Sequence, residues 1–168
     1  MKHGSTYSLK FRRRREGKTS YKLRLGLLKS DLQRVIVRNK TKNIIIQFAD
    51  YDEKGDRILI SLTSFQLKKF GWNFSFSTIP SAYLTGLLAG KNAVKKDIKK
   101  AVLDIGLQTP TKGCKIFGAL KGLVDAGLDI PHDSAIYPDE SRIRGEHLKN
   151  DALVKKFEEI KENLLREV

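Results

Sequence analysis

At 168 residues with 40% hydrophobic content, the chain has the size of one ordinary domain with a short appendage, and enough apolar material for a core. No apolar run approaches the roughly 18 residues that a membrane-crossing helix requires, which excludes a polytopic class. Its 33 Lys and Arg against 19 Asp and Glu give net +14; fourteen and two of these fall in Met1–Asn43, leaving nineteen and seventeen, so +12 sits in the first quarter and +2 in the rest. Charge massed in this way requires a polyanionic counterpart, and nucleic acid is the usual one.

Residues 1–18, MKHGSTYSLKFRRRREGK, have positive charge with no apolar stretch behind it, so a secretory leader is not expected and the protein reads as intracellular. The segment lacks hydrophobic periodicity, and Tyr7 and Phe11 are too few for a core. Self-repulsion of Arg12, Arg13, Arg14 and Arg15 predicts an extended basic arm that orders on binding. Residues 19–168 are expected to form one domain.

Thr19 opens a predicted helix, TSYKLRLGLLKS, with an imperfect apolar face and an internal Gly26. Three strands follow at 34–38, 43–50 and 57–63, separated by polar turns at 39–42 and 52–56, the second with Gly55. Short turns between strands predict an antiparallel meander. The run Ile44-Ile45-Ile46 predicts a middle strand covered on both faces. Residues 64–71 read as a helical connector ending at Gly71. Ser77 or Thr78 is placed to cap a helix running to about Asp97, with Pro80 in its first turn.

Ala101–Ile105 reads as a buried strand, and residues 112–126 as a helix stopped by Gly127. Pro131–Gly145 is predicted as loop. Leu153, Phe157, Ile160 and Leu164 mark an amphipathic helix over 151–166. The predicted fold class is α/β: an antiparallel meander followed by α-β-α in a mixed sheet, with a basic N-terminal arm and a C-terminal helix.

The chemistry on offer is mostly cationic. Lys10, Arg12, Arg13, Arg14, Arg15, Lys18, Lys22 and Arg24 form one sequence cluster, and Arg34, Arg38, Lys40 and Lys42 a second on the first strand and its turn. An arginine fork holds two phosphate oxygens at once, and its face stacks on an unpaired base. Arg142, Arg144 and His147 form a smaller group, offering RNA contact or loop salt bridges with Glu140 and Glu146. Trp72 reads as a buried anchor in preference to a base-stacking platform. Gly86 and Gly90 make a bare stripe read as close packing of the helix on the sheet.

Catalytic patterns are poor. The chain contains no GxxxxGK[ST] or GxGxxG loop, and His3, His132 and His147 have no metal-ligand spacing. His132, Asp133 and Ser134 are adjacent in sequence and cannot take triad geometry. The single cysteine, Cys114, excludes an internal disulfide and reads as a small residue at a helix start. No catalytic residue, metal or cofactor is expected. The enzymatic alternative is a metal-dependent nuclease using Asp50, Asp52 and Asp104. A cationic membrane-surface protein is a third reading, weakened because no bulky apolar face lies opposite the arginines.

PSAYLTGLLAGKNAVKKDIKKAVLDIGL (80–107), KGCKIFGALKGLVDAGLDIPH (112–132) and PDESRIRGEHL (138–148) closely resemble the family of large-subunit ribosomal protein eighteen of archaeal type, whose eukaryotic relative is the longer ribosomal protein five. FRRRREGKTSYKLRLGLLKS (11–30) and RVIVRNKTKNIIIQ (34–47) are similar to that family's opening, which binds 5S rRNA. No long extra C-terminal region is seen, so the archaeal form is expected. The resemblance implies a ribonuclease-H-like topology. It also implies a non-enzymatic role on the cytoplasmic ribosome, linking 5S rRNA to 23S rRNA in the central protuberance beside large-subunit ribosomal protein five.

Overall fold

The computed structural model describes residue 4 and residues 6–166. Four strands form one mixed sheet in the order β3-β2-β1-β4: β1 (Gln33–Asn39), β2 (Ile44–Asp50) and β3 (Arg57–Thr63) are antiparallel, and β4 (Ala101–Asp104) runs parallel to β1. This is the predicted meander followed by α-β-α. Beyond β4 a single parallel bridge joins Lys100 to Asp129.

Strand alternation sorts the side chains. Val35, Val37, Ile44, Ile46, Phe48, Ile60 and Leu62 share the core face, on which α3 (Ile79–Val94) and α4 (Lys115–Asp125) pack. The opposite face carries Arg34, Ile36, Arg38, Ile45 and Gln47. Ile44 and Ile46 are 1% and 0% exposed, whereas Ile45 and Ile36 are only half-buried. The helices therefore cover one face of the middle strand and not both. Hydrophobic run length alone does not separate those cases.

Thr78 caps α3 through a reciprocal box: Ser81 N–H donates to Thr78 Oγ1 at 3.4 Å, and Thr78 N–H donates to Ser81 Oγ at 3.0 Å. Gly86 and Gly90 do not face the sheet. A side chain at Gly86 would run into the Ala119 backbone, and one at Gly122 into the Tyr83 carbonyl, so α3 and α4 approach almost backbone to backbone. Tyr83 Oη also donates to Asp125 at 2.8 Å across this crossing. The stripe serves helix-on-helix packing.

A second cluster lies on the far side of α3. Leu153, Phe157, Ile160 and Leu164 of α6 (Asp151–Arg166) join Leu67, Trp72, Leu84 and Leu87. Trp72 is 0% exposed, and its indole N–H donates to the Ser75 carbonyl at 3.2 Å. It is an anchor. Gly71, in the left-handed region at φ 81°, ends the tight helical turn over Ser64–Phe70. The segment predicted as loop at 131–145 holds a short helix, α5 (Glu140–Arg144), because Ile143 is drawn into the second cluster. Cys114 stands at the N-terminal boundary of α4, half-buried.

Candidate nucleic-acid interface

The N-terminal segment contains one helical turn, α1 (Arg12–Arg15), in place of a fully extended arm. One turn of four arginines does not sustain itself, because nucleation is unfavourable and like charges repel. Local contacts hold it: Arg12 Nε lies 3.7 Å from Glu16, Lys18 Nζ 2.8 Å from Glu16, and Arg13 Nε donates to Thr19 Oγ1 at 3.0 Å. The Phe11 ring meets Tyr21 edge-on at 5.4 Å. Arg14 and Arg15 are exposed and have no side-chain partner among the described residues.

α2 (Tyr21–Leu28) follows, with Ser20 Oγ accepting from Leu23 N–H at 3.5 Å. None of its residues is buried, and Leu23 and Leu25 are each 59% exposed. The reason is in the spacing. Tyr21, Leu23, Leu25 and Leu27 recur every second residue, which scatters apolar groups around a helix instead of gathering them on one face. Tyr7, Leu9, Phe11, Leu23 and Leu25 thus lie exposed among Lys10, the arginine run, Lys18 and Lys22.

A charge network ties this segment to the sheet. Arg24 forms a two-pronged contact with Asp56, at 2.8 Å and 2.7 Å. Arg34 Nη2 lies 2.7 Å from the same Asp56 as an ion pair, and Arg34 Nη1 donates to Asp104 at 3.3 Å. Arg38 closes the series on Asp104, through a carboxylate oxygen at 3.0 Å and the carbonyl at 2.7 Å. The Arg24 hydrogen bond, helped by Arg34, holds the Asp56 carboxyl below its ordinary range, against the effect of burial. The same bond raises Arg24. Three guanidinium groups share two carboxylates, so the network keeps one net positive charge.

A second basic surface lies at the other end of β1. Lys40 lies six positions beyond Arg34, about 20 Å at the rise of a strand. Lys40 and Lys42 are exposed in the β1–β2 turn. Ser77 Oγ donates to the Lys40 carbonyl at 3.1 Å and accepts from Lys115 Nζ at 3.1 Å. Lys112 and Arg142 share the rim of a shallow cleft beside Tyr137. Next to Ser77, the Phe76 ring meets Phe65 edge-on at 5.2 Å, and Lys68 Nζ sits 5.6 Å from the Phe76 centroid.

Comparison with known proteins agrees with this geometry. A family model described as ribosomal large subunit proteins 60S L5 and 50S L18 matches residues 5–99 and 95–133. A large ribosomal subunit protein uL18 from Methanothermobacter thermautotrophicus is 51% identical over 148 residues, covering 88% of this chain and 77% of the relative. Proteins of the same name from Korarchaeum cryptofilum and Methanococcus maripaludis are 48% and 50% identical over 152 residues, covering 90% of this chain and 78% and 79% of theirs. The chain belongs to the L5/L18 family of large-subunit ribosomal proteins.

As a member of the L5/L18 family it is a structural, RNA-associated component of the cytoplasmic ribosome, and not an enzyme. No helix among the described residues is long and apolar enough to cross a membrane. The nuclease alternative fails on geometry. Asp104 is occupied by Arg34, Arg38 and the Gly106 N–H, while Asp50, at the exposed end of β2, and Asp52, in the turn after it, each accept a backbone bond. No group of three potential ligands converges among the described residues.

Of the basic residues singled out in the sequence, Lys10, Arg12, Arg13, Arg14, Arg15, Lys18, Lys22, Lys40 and Lys42 are exposed. Arg24 and Arg38 are partly exposed, each with a carboxylate partner. Arg34 requires correction as a direct RNA contact: it is 2% exposed and engaged by two acids, so it offers no face to a ligand. Arg142, Arg144 and His147 are exposed on α5 and the turn after it, with Arg144 Nε 3.6 Å from Glu158. His3 lies outside the described residues. The sequence reading missed Lys68, Lys112 and Lys115. Aromatic residues beside lysine at 65–76 were a usable signal for the first; only the fold brings Lys115 to Lys40 through Ser77, and Lys112 to Arg142.

Proposed function

We propose that this chain binds 5S rRNA and links it to 23S rRNA in the central protuberance, beside large-subunit ribosomal protein five. The observation that carries the reading is the division of positive charge between two surfaces at opposite ends of β1. One comprises the basic arm from Lys10 to Lys18 together with α2; the other comprises Lys40, Lys42 and Lys115 on the body of the domain. Two basic surfaces about 20 Å apart, at opposite ends of one strand, provide the two separate seats that a linker between two RNA segments needs.

Lys10, Arg12, Arg13, Arg14, Arg15, Lys18 and Lys22 neutralise phosphates of 5S rRNA, while Phe11, Tyr21 and the arginine planes stack on splayed bases. Arg142, beside Lys112, and the exposed Arg144 and His147 offer further RNA contacts. Recognition reads RNA shape, because the major groove of A-form RNA is too narrow for side chains. The test is filter binding at matched salt to folded 5S rRNA and to linear RNA of equal length. Preference for the folded molecule is expected; equal affinity removes the 5S assignment.

A further inference from the structure

α2 carries an RNA-binding segment yet has little to hold it in place. It is eight residues long, short of the roughly 12–15 at which isolated helices become even marginal in water. Of its leucines, Leu23 and Leu25 are exposed and only Leu27 and Leu28 at its end are partly covered, so hydrophobic docking secures the last turn and leaves the rest to polar contacts. The Arg24–Asp56 fork is the one hydrogen-bonded ion pair that joins α2 to the sheet among the described residues. Asp56 is in turn held from beneath by Arg34, whose guanidinium is buried against β4 through Asp104.

We infer that Asp56 and Arg34 are positioning residues which aim α2 and the adjoining arginine turn at RNA, the buried end of the network serving as a rigid mount. The inference rests on the RNA-binding function proposed above. An arginine fork on a carboxylate has one planar geometry, so it fixes direction as well as distance. A buried arginine between two acids contributes little net stability, because desolvation offsets the attraction. Breaking such an arrangement is nonetheless costly, since a charge is left unpaired. Burying Arg34 at the root of a surface α2 therefore fits orientation better than stabilisation.

The sign of one substitution separates positioning from simple charge. Asp56→Asn removes a negative charge from a basic surface, so a pure charge account predicts binding to 5S rRNA at least as tight as wild type. Positioning predicts the reverse: with α2 correctly placed about a tenth of the time, apparent affinity falls about tenfold. Asp56→Glu keeps the carboxylate and should restore affinity to within about threefold, roughly 0.65 kcal/mol. Amide exchange on the free protein should show α2 losing protection in Asp56→Asn while β1 and β2 keep theirs.

Unchanged α2 exchange, or unchanged or tighter RNA binding by Asp56→Asn, overturns the positioning role alone. A wild-type chain that ignores 5S rRNA overturns the function beneath it, a result readable without any variant. If Asp56→Asn lacks a cooperative melt, Arg24→Lys carries the test. It keeps the charge and loses the fork, so weaker binding with faster α2 exchange supports the inference and wild-type behaviour in both defeats it.

Discussion

Arg14 and Arg15 give the cleanest measure of the phosphate interface, since neither has a side-chain partner among the described residues. Arg12 faces Glu16 and Arg13 is bonded to Thr19, so replacing either also disturbs the turn. The double substitution Arg14→Gln, Arg15→Gln removes two phosphate contacts and no internal partner. Each contact on duplex contributes about 0.9 to the slope of log K against log salt, so the slope should fall by roughly 1.8. Referred to 1 M salt, that is roughly 1.5 decades at about 0.15 M, or about a 30-fold loss of affinity. Filter binding to 5S rRNA across a salt series reads both quantities, and thermal melting should be unchanged because both side chains are solvated. A slope equal to that of wild type would refute the reasoning, even with some loss of affinity.

Other outcomes follow from the packing and the network. Gly86→Ala pushes a methyl into the Ala119 backbone, and overpacking of about 1–3 kcal/mol should lower the melting temperature by about 2–12 °C in calorimetry. Trp72→Ala should cost about 3–5 kcal/mol while the folded fraction keeps wild-type RNA affinity; an affinity loss without a melting shift would make Trp72 a stacking platform. The Asp56 carboxyl is lowered in the folded protein, so its contribution is fully present above the unfolded value near 3.8 and is lost as pH falls through the lower folded value. The protection factor of the α2 amides, which divides out the intrinsic pH dependence of exchange, should therefore be flat from neutral pH down to about 4 and fall below it, and Asp56→Asn should abolish that acid step.

Local features were legible in the sequence because local chemistry determines them. The Thr78 cap, Pro80 in the first turn, the stops at Gly71 and Gly127 and the spacing of Leu153, Phe157, Ile160 and Leu164 each act within a few residues. The fate of Arg34 was not. On a strand rich in basic residues it looks like a phosphate ligand, and only a parallel pairing that brings Asp104 from 70 residues away reveals a buried mount. The orientation of Gly86 was hidden for the same reason, since a bare stripe does not say whether a sheet or a helix fills it. α2 shows the converse error: its leucines suggest a core face, but a two-residue period on a helix gives none. The arm and the β1–β2 turn were read as two basic clusters within the first quarter of the chain, but their distance apart was not legible. β1 itself separates them.

The central claim is that two separate basic surfaces hold two RNA segments. Hydroxyl-radical footprinting on mixed 5S and 23S rRNA tests it most directly, comparing wild type with a variant lacking charge at Arg14 and Arg15 and another lacking it at Lys40, Lys42 and Lys115. The first variant should lose protection on 5S rRNA, and the second should lose a different protected segment while keeping the first. Loss of one and the same segment in both variants would contradict the account.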